Sequence, residues 1–559
     1  MAKIAAITKG PTEHGDLAQI DRPTEVGMRG GLTGAESLTR ETLTWQPHMG
    51  SPDRIINHAK PMADARTRDM TFNDGYAHGA VATHKDSIVG TQFRLNSAPV
   101  IQVLKQFNPA FDEVWQEEFS QAAEARFGLT AESDAKWLDA SRSRSFTDDI
   151  RLAVAQFVNT GEILATAEWI TNDAQRPCKT AVQQVSPSRL SNPNLLADTA
   201  FMRRGIVKDA RGRATGYYIR DSYPNEFYIG QPLFQWKLVP ATKPWGRVMV
   251  FHTFEALEVG QSRGVSDMVA ALGDMKMAKK FREITLQNAV IQASYAAAIE
   301  SELPPEAVFQ MMGGNSGAEN FQGVMGIYMK LLESYFKGSK NTHIDGAQIP
   351  MLPPGTTLNT KTLGTPGGVG DDFETSLHRH VAAALGISTE EYTQDFSGLS
   401  YSTVRASGEK MRRFMKARKK VGADRYANFI YQLWMEEELN NGYLPLPRGV
   451  RRNDIFYQPL AKEAFCAANW IGSGTGQIDE LKETQAAILR IASGLSTWEK
   501  EIARLGDDWR AVFLQQQRER AVMGQKSLTF SLTTVRPGSN PDPVGAESEQ
   551  TGQDQGAAA

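Results

Sequence analysis

The chain has 559 residues, 41% hydrophobic and 22% charged, with a formal net charge of −3, which describes a mostly folded protein of roughly three or four domains. The near-neutral balance argues against a simple, tightly held nucleic-acid binder, though not against a surface that DNA slides past without strong phosphate neutralisation. Two distant cysteines, Cys178 and Cys466, argue against a disulfide framework or a cysteine metal site and fit a reducing cytoplasm; no run approaches the roughly 18 apolar residues of a membrane span.

Residues 1–51 are rich in Gly, Thr, Glu and Arg and weakly periodic, and read as a flexible or partner-ordered arm. Its first ten residues turn polar too soon for a signal peptide. Order is expected from 52. A helix is predicted over 63–86, broken at Asn73-Asp-Gly75. Residues 88–95 alternate like a strand. Amphipathic helices follow at 111–127, carrying Val114, Trp115 and Phe119, and at 146–158. Strands are predicted at 162–170, 180–185 and 247–254, with a hairpin across 205–220 that turns at 209–212. Residues 52–264 therefore form an α+β domain.

Gly264 closes that domain. Ser266, as N-cap, and Asp267, as first-turn acid, open a helix predicted to run to 301, where Pro304 and Pro305 stop it. Met268, Leu272 and Met275 make its apolar stripe, which Phe281, Ile284 and Ile291 extend with some drift. Lys276, Lys279, Lys280 and Arg282 cluster mid-helix. Residues 303–365 form a small insert with a break at Gly313-Gly314 and a helix over 318–337. A strand at 348–352, a turn at Pro353-Pro-Gly355 and a strand at 356–360 complete it.

A glycine-rich link leads to a helix over 371–385, with Phe373, Leu377, Val381 and Leu385 on one face. Gly386 ends it, and a polar loop covers 387–400. A long helix is then predicted over 401–440, capped by Ser400 or Ser402 and roughly 60 Å long. Eight basic residues (Arg405, Lys410, Arg412, Arg413, Lys416, Arg418, Lys419 and Lys420) stand against one acid, Glu409, between Tyr401 and Gly422. The band has two readings: a solvated face or intersubunit ion pairing, and a positive surface facing nucleic acid. The second half of the helix carries Tyr426, Phe429, Ile430, Leu433 and Trp434. A helix of this length needs a neighbouring domain or subunit to cover it.

Pro445 and Pro447 mark the next boundary, and 454–524 reads as mainly helical. A helix over 478–492 ends at Gly494. A capping box, Ser496-Thr-Trp-Glu499, opens the next helix, which ends at Gly506, and Asp507 or Asp508 caps the last. Residues 526–559 are rich in Ser, Gly, Pro and Gln and read as a disordered tail.

Catalysis has no foothold. Gly472-Ser-Gly-Thr-Gly476 lacks the Lys of a phosphate loop and reads as a turn. His378 and His380, two apart, point to different sides of a helix and read as a solvated face, as does the run Glu436, Glu437 and Glu438. No catalytic residue, metal or cofactor is assigned.

Several ordered segments resemble the lambda-type phage portal proteins. They are Gly75-Tyr-Ala, His84-Lys-Asp-Ser-Ile-Val-Gly90, Val185-Ser-Pro-Ser-Arg-Leu-Ser-Asn-Pro193 and Gly216-Tyr-Tyr. Phe254-Glu, Gly260-Gln-Ser-Arg-Gly264, Lys276-Met, Tyr295-Ala-Ala-Ala-Ile-Glu-Ser-Glu302 and Ser400-Tyr-Ser-Thr-Val-Arg-Ala-Ser407 continue the pattern. Trp470-Ile-Gly-Ser-Gly474, Ile478-Asp-Glu-Leu-Lys-Glu483 and Gly494-Leu-Ser-Thr497 complete it. The similarity runs from about 52 to 519.

The resemblance implies a ring oligomer, a homododecamer at one capsid vertex of the virion, assembled in the host cytoplasm. It implies an α+β fold with an α/β wing at 52–264, a long-helix stem at 265–302 and 366–386, and a small α/β clip at 303–365. A tunnel loop at 387–400, a long wing helix at 401–444 and a C-terminal helical wing and crown at 445–525 follow. Double-stranded DNA passes through the centre during packaging and ejection. Tyr392, Thr393, Gln394, Asp395, Phe396 and Ser397 are then the DNA-facing residues. Lys276, Lys279, Lys280, Arg412, Lys416 and Lys420 offer weak, sliding phosphate contacts. Glu306, Glu319, Lys337 and Lys340 of the clip meet the terminase large subunit and then head-tail completion proteins. Major capsid and scaffold proteins are further partners, and no membrane is involved. The alternative is another ring-forming head-tail adaptor or tail protein without a DNA path.

Overall fold

The computed structural model describes residues 50–295 and 369–525, apart from 225, 227–234, 398–399, 475 and 477–478, together with 342–344, 347–349 and isolated positions. Helix α1 (Pro52–Asn73) starts well before the predicted 63, with proline in its first turn, where the missing N–H costs nothing. The predicted break at 73–75 forms. Asp74 caps α2 (Gly75–Ile88), its carboxylate accepting the Ala77 N–H at 3.0 Å.

The strand expected at 88–95 is mostly something else. Ile88 ends α2, and Gly90 turns the chain with φ +73°. A Cβ there would meet Ser473 Cα at 3.0 Å. Only β1 (Arg94–Ser97) is extended, and it pairs antiparallel with β11 (Ala468–Ile471), far along the chain.

Helix α3 (Glu113–Ala131), capped by Asp112, buries Trp115, Phe119, Ala123 and Phe127. Helix α4 (Phe146–Thr160) opens on a reciprocal capping box between Ser145 and Asp148. It ends at Gly161, φ +76°, where a Cβ would lie 2.2 Å from the Val265 carbonyl carbon; only glycine fits that crossing. The chain then enters β2 (Glu162–Trp169), the centre of an antiparallel sheet with β3 (Thr180–Gln184) and β8 (Val250–Phe254) in the order β3-β2-β8. A second antiparallel sheet runs β4 (Met202–Arg203), β5 (Ile206–Lys208), β6 (Ala214–Arg220) and β7 (Trp236–Pro240), and contains the predicted hairpin. Leu164, Val185, Leu190, Ile206, Tyr217, Ile219 and Val250 form a small core of their own between the sheets.

Helix α5 (Met268–Tyr295) has Ser266 before it, whose hydroxyl accepts the Met268 N–H at 3.1 Å. It buries Met268, Ala271, Met275 and Ala278 and packs on α6 (Val369–Leu385). Between them a short hairpin of β9 (Thr342–Ile344) and β10 (Ala347–Ile349) places Gln348 in its second strand. That corrects the reading of 348–352 as a first strand. The strand at 356–360 lies outside the described residues. So does the helix at 318–337, except for 330 and 333, which are helical.

The long helix at 401–440 is two helices. Helix α8 (Tyr401–Val421) is followed by α9 (Ala423–Asn441), and Gly422 at φ −94°, ψ −78° separates them. The glycine sits 3.5 Å, measured to its would-be Cβ, from Ile163 Cδ1 of β2. Breaking the helix there lets α9 enter the main core, where Tyr426, Tyr431 and Trp434 are fully buried, while the more polar α8 stays at the surface.

Burial also corrects the acidic run. Glu436, Glu437 and Glu438 are not a solvated face but are all buried. Glu436 takes Arg247 at 2.6 Å and the Tyr457 hydroxyl at 2.9 Å. Glu437 accepts the backbone N–H groups of Lys179 and Thr180 at 2.7 and 2.8 Å. Glu438 takes Arg126 at 2.7 Å. Each buried carboxylate has hydrogen-bond donors that arrive from other elements, as burying such a group requires.

Helices α10 (Glu480–Ala492), α11 (Trp498–Leu505) and α12 (Trp509–Gln525) are the last described elements, and neither α10 nor α11 has a buried residue. Thr497, not Ser496, caps α11. Glu499 is drawn away from the expected box to accept from Asn96 Nδ2 at 2.7 Å.

Candidate functional site

The segment between α6 and α8 is more structured than a polar loop. Gly386, at φ +68°, stops α6, and a Cβ there would strike the Phe414 ring at 2.4 Å. Ser388 then caps a short helix, α7 (Thr389–Thr393), by accepting the Glu391 N–H. Gln394 turns left-handed at φ +57°, and Gln394, Asp395, Phe396 and Ser397 are exposed. Ser400 caps α8 by accepting the Thr403 N–H at 3.3 Å.

Tyr392 is the main correction. Expected to face DNA, it is only 4% exposed. Its ring stacks on Tyr76 of α2, with centroids 5.4 Å apart, and lies 5.6 Å from His378 of α6. Tyr76 and His378 meet edge to face at 4.7 Å. Burial pushes the Tyr392 phenol well above its usual range, and the nearby Asp74 carboxylate adds to that. Thr393 is half-buried, its hydroxyl bonded to the Thr389 carbonyl at 2.9 Å. Among the described residues of the turn, Gln394 to Ser397 are thus exposed on an anchored base. At its tip Ser397 donates to Asp395 at 2.9 Å and holds that carboxyl below its ordinary value.

His378 is likewise no solvated residue. It is buried and bonded to Glu374 at 3.3 Å, whereas His380 is exposed beside Asp274. Arg282 of α5 reaches the same corner: it lies over the Tyr76 ring at 4.7 Å and pairs with Asp74 at 3.0 Å. Sequence reading missed Tyr76 and Arg282 as anchors of this turn. The available signal was Gly75-Tyr-Ala, an aromatic residue one step inside a capped helix.

The basic positions separate by environment. Lys276, Lys280 and Lys416 are exposed, with no side-chain partner among the described residues. Lys279 donates to the Asn73 carbonyl at 2.9 Å, and Arg412 pairs with Glu409 at 3.0 Å. Lys420 is exposed but 3.8 Å from Asp424. Two other members of the band are structural. Arg418 pairs with Asp267 and Glu255 and lies over Phe414, and Lys419 holds Asp424 and the Trp470 carbonyl. Glu306, Glu319, Lys337 and Lys340 lie outside the described residues. The stretch 472–476 serves backbone crossings: a Cβ on Gly472 would meet the Ile88 carbonyl at 2.4 Å, and one on Gly474 the Leu505 carbonyl at 2.3 Å. Among the described residues no group of three His, Cys, Asp or Glu is placed to hold a metal ion.

What this arrangement offers is a short exposed turn on a rigid base, with isolated lysines on neighbouring helices. Comparison with known proteins places the chain in a family. The model of the phage portal protein, lambda family, matches residues 38–419. The chain belongs to the lambda family of phage portal proteins. It is 36% identical to the portal protein of Escherichia phage N15 over 493 residues, 88% of this chain and 89% of that protein. It is 35% identical to portal protein B of Escherichia phage lambda over 510 residues, 91% of this chain and 92% of that one. The family match begins at 38, inside the stretch read as an unmatched arm. Among solved structures, the neck of an empty GTA particle computed with C6 symmetry aligns with 83% of this chain and 95% of that chain, at 12% identity and a TM-score of 0.34.

Proposed function

We propose that this portal protein assembles into a closed ring of about twelve copies at one capsid vertex, and that double-stranded DNA passes through its centre during packaging and ejection. The kinship with portal protein B of phage lambda over nine-tenths of both chains carries this reading. The helices support it. Met277, Ile284, Leu286 and Val290 of α5 and Phe373 of α6 are apolar and exposed in the single chain. A neighbour packing head to tail covers such faces on every copy once the ring closes.

In this reading residues 52–264 are the wing, α5 and α6 the stem, 303–365 the clip and 445–525 the C-terminal wing and crown. The turn Gln394 to Ser397 faces the bore. Lys276, Lys280, Lys416 and Lys420 supply sparse phosphate contacts, few enough that DNA slides rather than binds. The clip, with Glu306, Glu319, Lys337 and Lys340, meets the terminase large subunit and then the head-tail completion proteins. Major capsid and scaffold proteins surround the ring as it forms in the host cytoplasm. The protein is a conduit and not an enzyme; nucleotide hydrolysis belongs to the motor.

Averaged electron micrographs of the purified protein test this. A ring with an open bore supports it. A ring or disc without a bore is what a head-tail adaptor would give.

A further inference from the structure

Beside the start of α1 lies a cavity of about 770 Å³, lined among others by Arg54, Asn57, Asp198 and Arg204. Its two carboxylates are already engaged. Asp53 accepts from the Ser262 N–H and hydroxyl at 2.6 and 2.5 Å and pairs with Arg203 at 3.0 Å. Asp198 accepts from Asn57, Asn192 and the Arg204 N–H, each at 2.8 Å. The cations are not matched in the same way. Arg54 is exposed and Arg204 half-buried, and neither guanidinium has a hydrogen bond or close ion pair among the described residues. Burial, and then the neighbouring Arg263, lower the pKa of Arg204, the mark of an undercompensated cation.

Asn57 adds a second, independent observation. It is 5% exposed, its Nδ2 is committed to Asp198, and its Oδ1 has no hydrogen-bond partner among the described residues. A buried acceptor without a donor is costly and calls for one. An occupant that meets both features brings anionic groups for the arginines and a hydrogen-bond donor for Asn57. A polypeptide does both. A nucleic-acid backbone brings no N–H donor, and its phosphates would meet the Asp53 and Asp198 carboxylates.

The chain itself contains such a segment. Residues 537–559 hold Asp542, Glu547, Glu549 and Asp554 and no Lys or Arg. From Gln525 to Asp542 the chain can extend up to roughly 60 Å, enough to cross a folded domain. We propose that the acidic segment 537–559 of this portal protein docks in the cavity formed by Arg54, Asn57 and Arg204, tethering the C-terminal tail to the wing.

The test uses the full chain with a photo-reactive benzoylphenylalanine at Val544 and maps the adduct by mass spectrometry. The proposal expects adducts within 51–58 or 191–204. Arg54→Glu should cut their yield by roughly tenfold, the loss of one charge-assisted contact, and Asp or Glu to Asn or Gln changes at 542, 547, 549 and 554 should do the same. Restoring the yield in Arg54→Glu with Glu547→Lys and Glu549→Lys would establish the pairing without relying on a variant that misfolds. Adducts elsewhere, or yields indifferent to both sets of changes, overturn it. So does an adduct that short duplex DNA displaces while the tail changes leave it untouched, which would assign the cavity to nucleic acid. Ring size measured on Arg54→Glu stays unchanged, so failure here leaves the ring untouched.

Discussion

Tyr392 stacks on Tyr76 with ring centroids 5.4 Å apart and planes 29° apart, and so ties the base of the exposed turn to α2. Through His378 and Arg282 the same cluster touches α6 and α5. The turn is thereby fixed to three helices rather than hanging from one.

Tyr392→Ala should destabilise the protein by about 3 kcal/mol, as loss of a buried aromatic ring does, and Tyr392→Phe by much less. Thermal melting measures the first effect. Protease cleavage at 394–400 should rise in the alanine variant and not in the phenylalanine one.

Two glycines should respond in opposite ways. Gly161→Ala places a Cβ 2.2 Å from backbone at positive φ and should prevent normal folding. Gly422→Ala meets only ordinary contacts at 3.5 Å and should be neutral or stabilising, by up to about 1 kcal/mol. Soluble yield and denaturant midpoints distinguish them.

Glu437→Ala strips two backbone N–H groups of their acceptor inside the core. A loss of about 2–5 kcal/mol follows from unpaired buried donors. Glu437→Gln keeps one acceptor oxygen and should lose less, as read from urea unfolding.

Acid should loosen the α10–α11 hairpin. Hydrogen bonds from Arg490 hold Glu501 down to about 2, against an ordinary 4.5. Because the folded value is the lower one, this pair contributes above pH 4.5 and its contribution fades as pH falls from there toward 2. Protection factors across 480–505, with the intrinsic pH dependence of amide exchange removed, should fall over that window in the parent, and Glu501→Gln should show the lowered protection already at neutral pH.

Replacing Lys276, Lys280 and Lys416 together by Gln removes exposed charge and no contact the fold uses. Melting should be unchanged while DNA packaging changes in rate and in salt dependence. Packaging identical to the parent at every salt concentration would remove these lysines from the DNA path.

Much of the local structure was legible because it is written in local chemistry. The break at 73–75, the hairpin across 205–220 and the stops at Gly386, Gly494 and Gly506 each follow from one or two residues. What escaped depends on distant partners. Glu436, Glu437 and Glu438 look solvated until Arg247, the 179–180 backbone and Arg126 arrive from elsewhere. Tyr392 looks exposed on a polar stretch until Tyr76, more than three hundred positions earlier, covers it. Gly422 was passed over because a lone glycine in a periodic run is tolerated in helices; its effect comes from the β2 sheet beneath it. The turn itself was found, but its width was not, since nothing local separates an anchored residue from a free one.

Counting subunits in averaged images of the purified protein bears most directly on the central claim, that the long helices α5 and α6 are completed by their neighbours. The account predicts a ring of about twelve copies with an open bore. A stable, monodisperse single copy in dilute buffer, its α5 and α6 faces folded against its own chain, would contradict it.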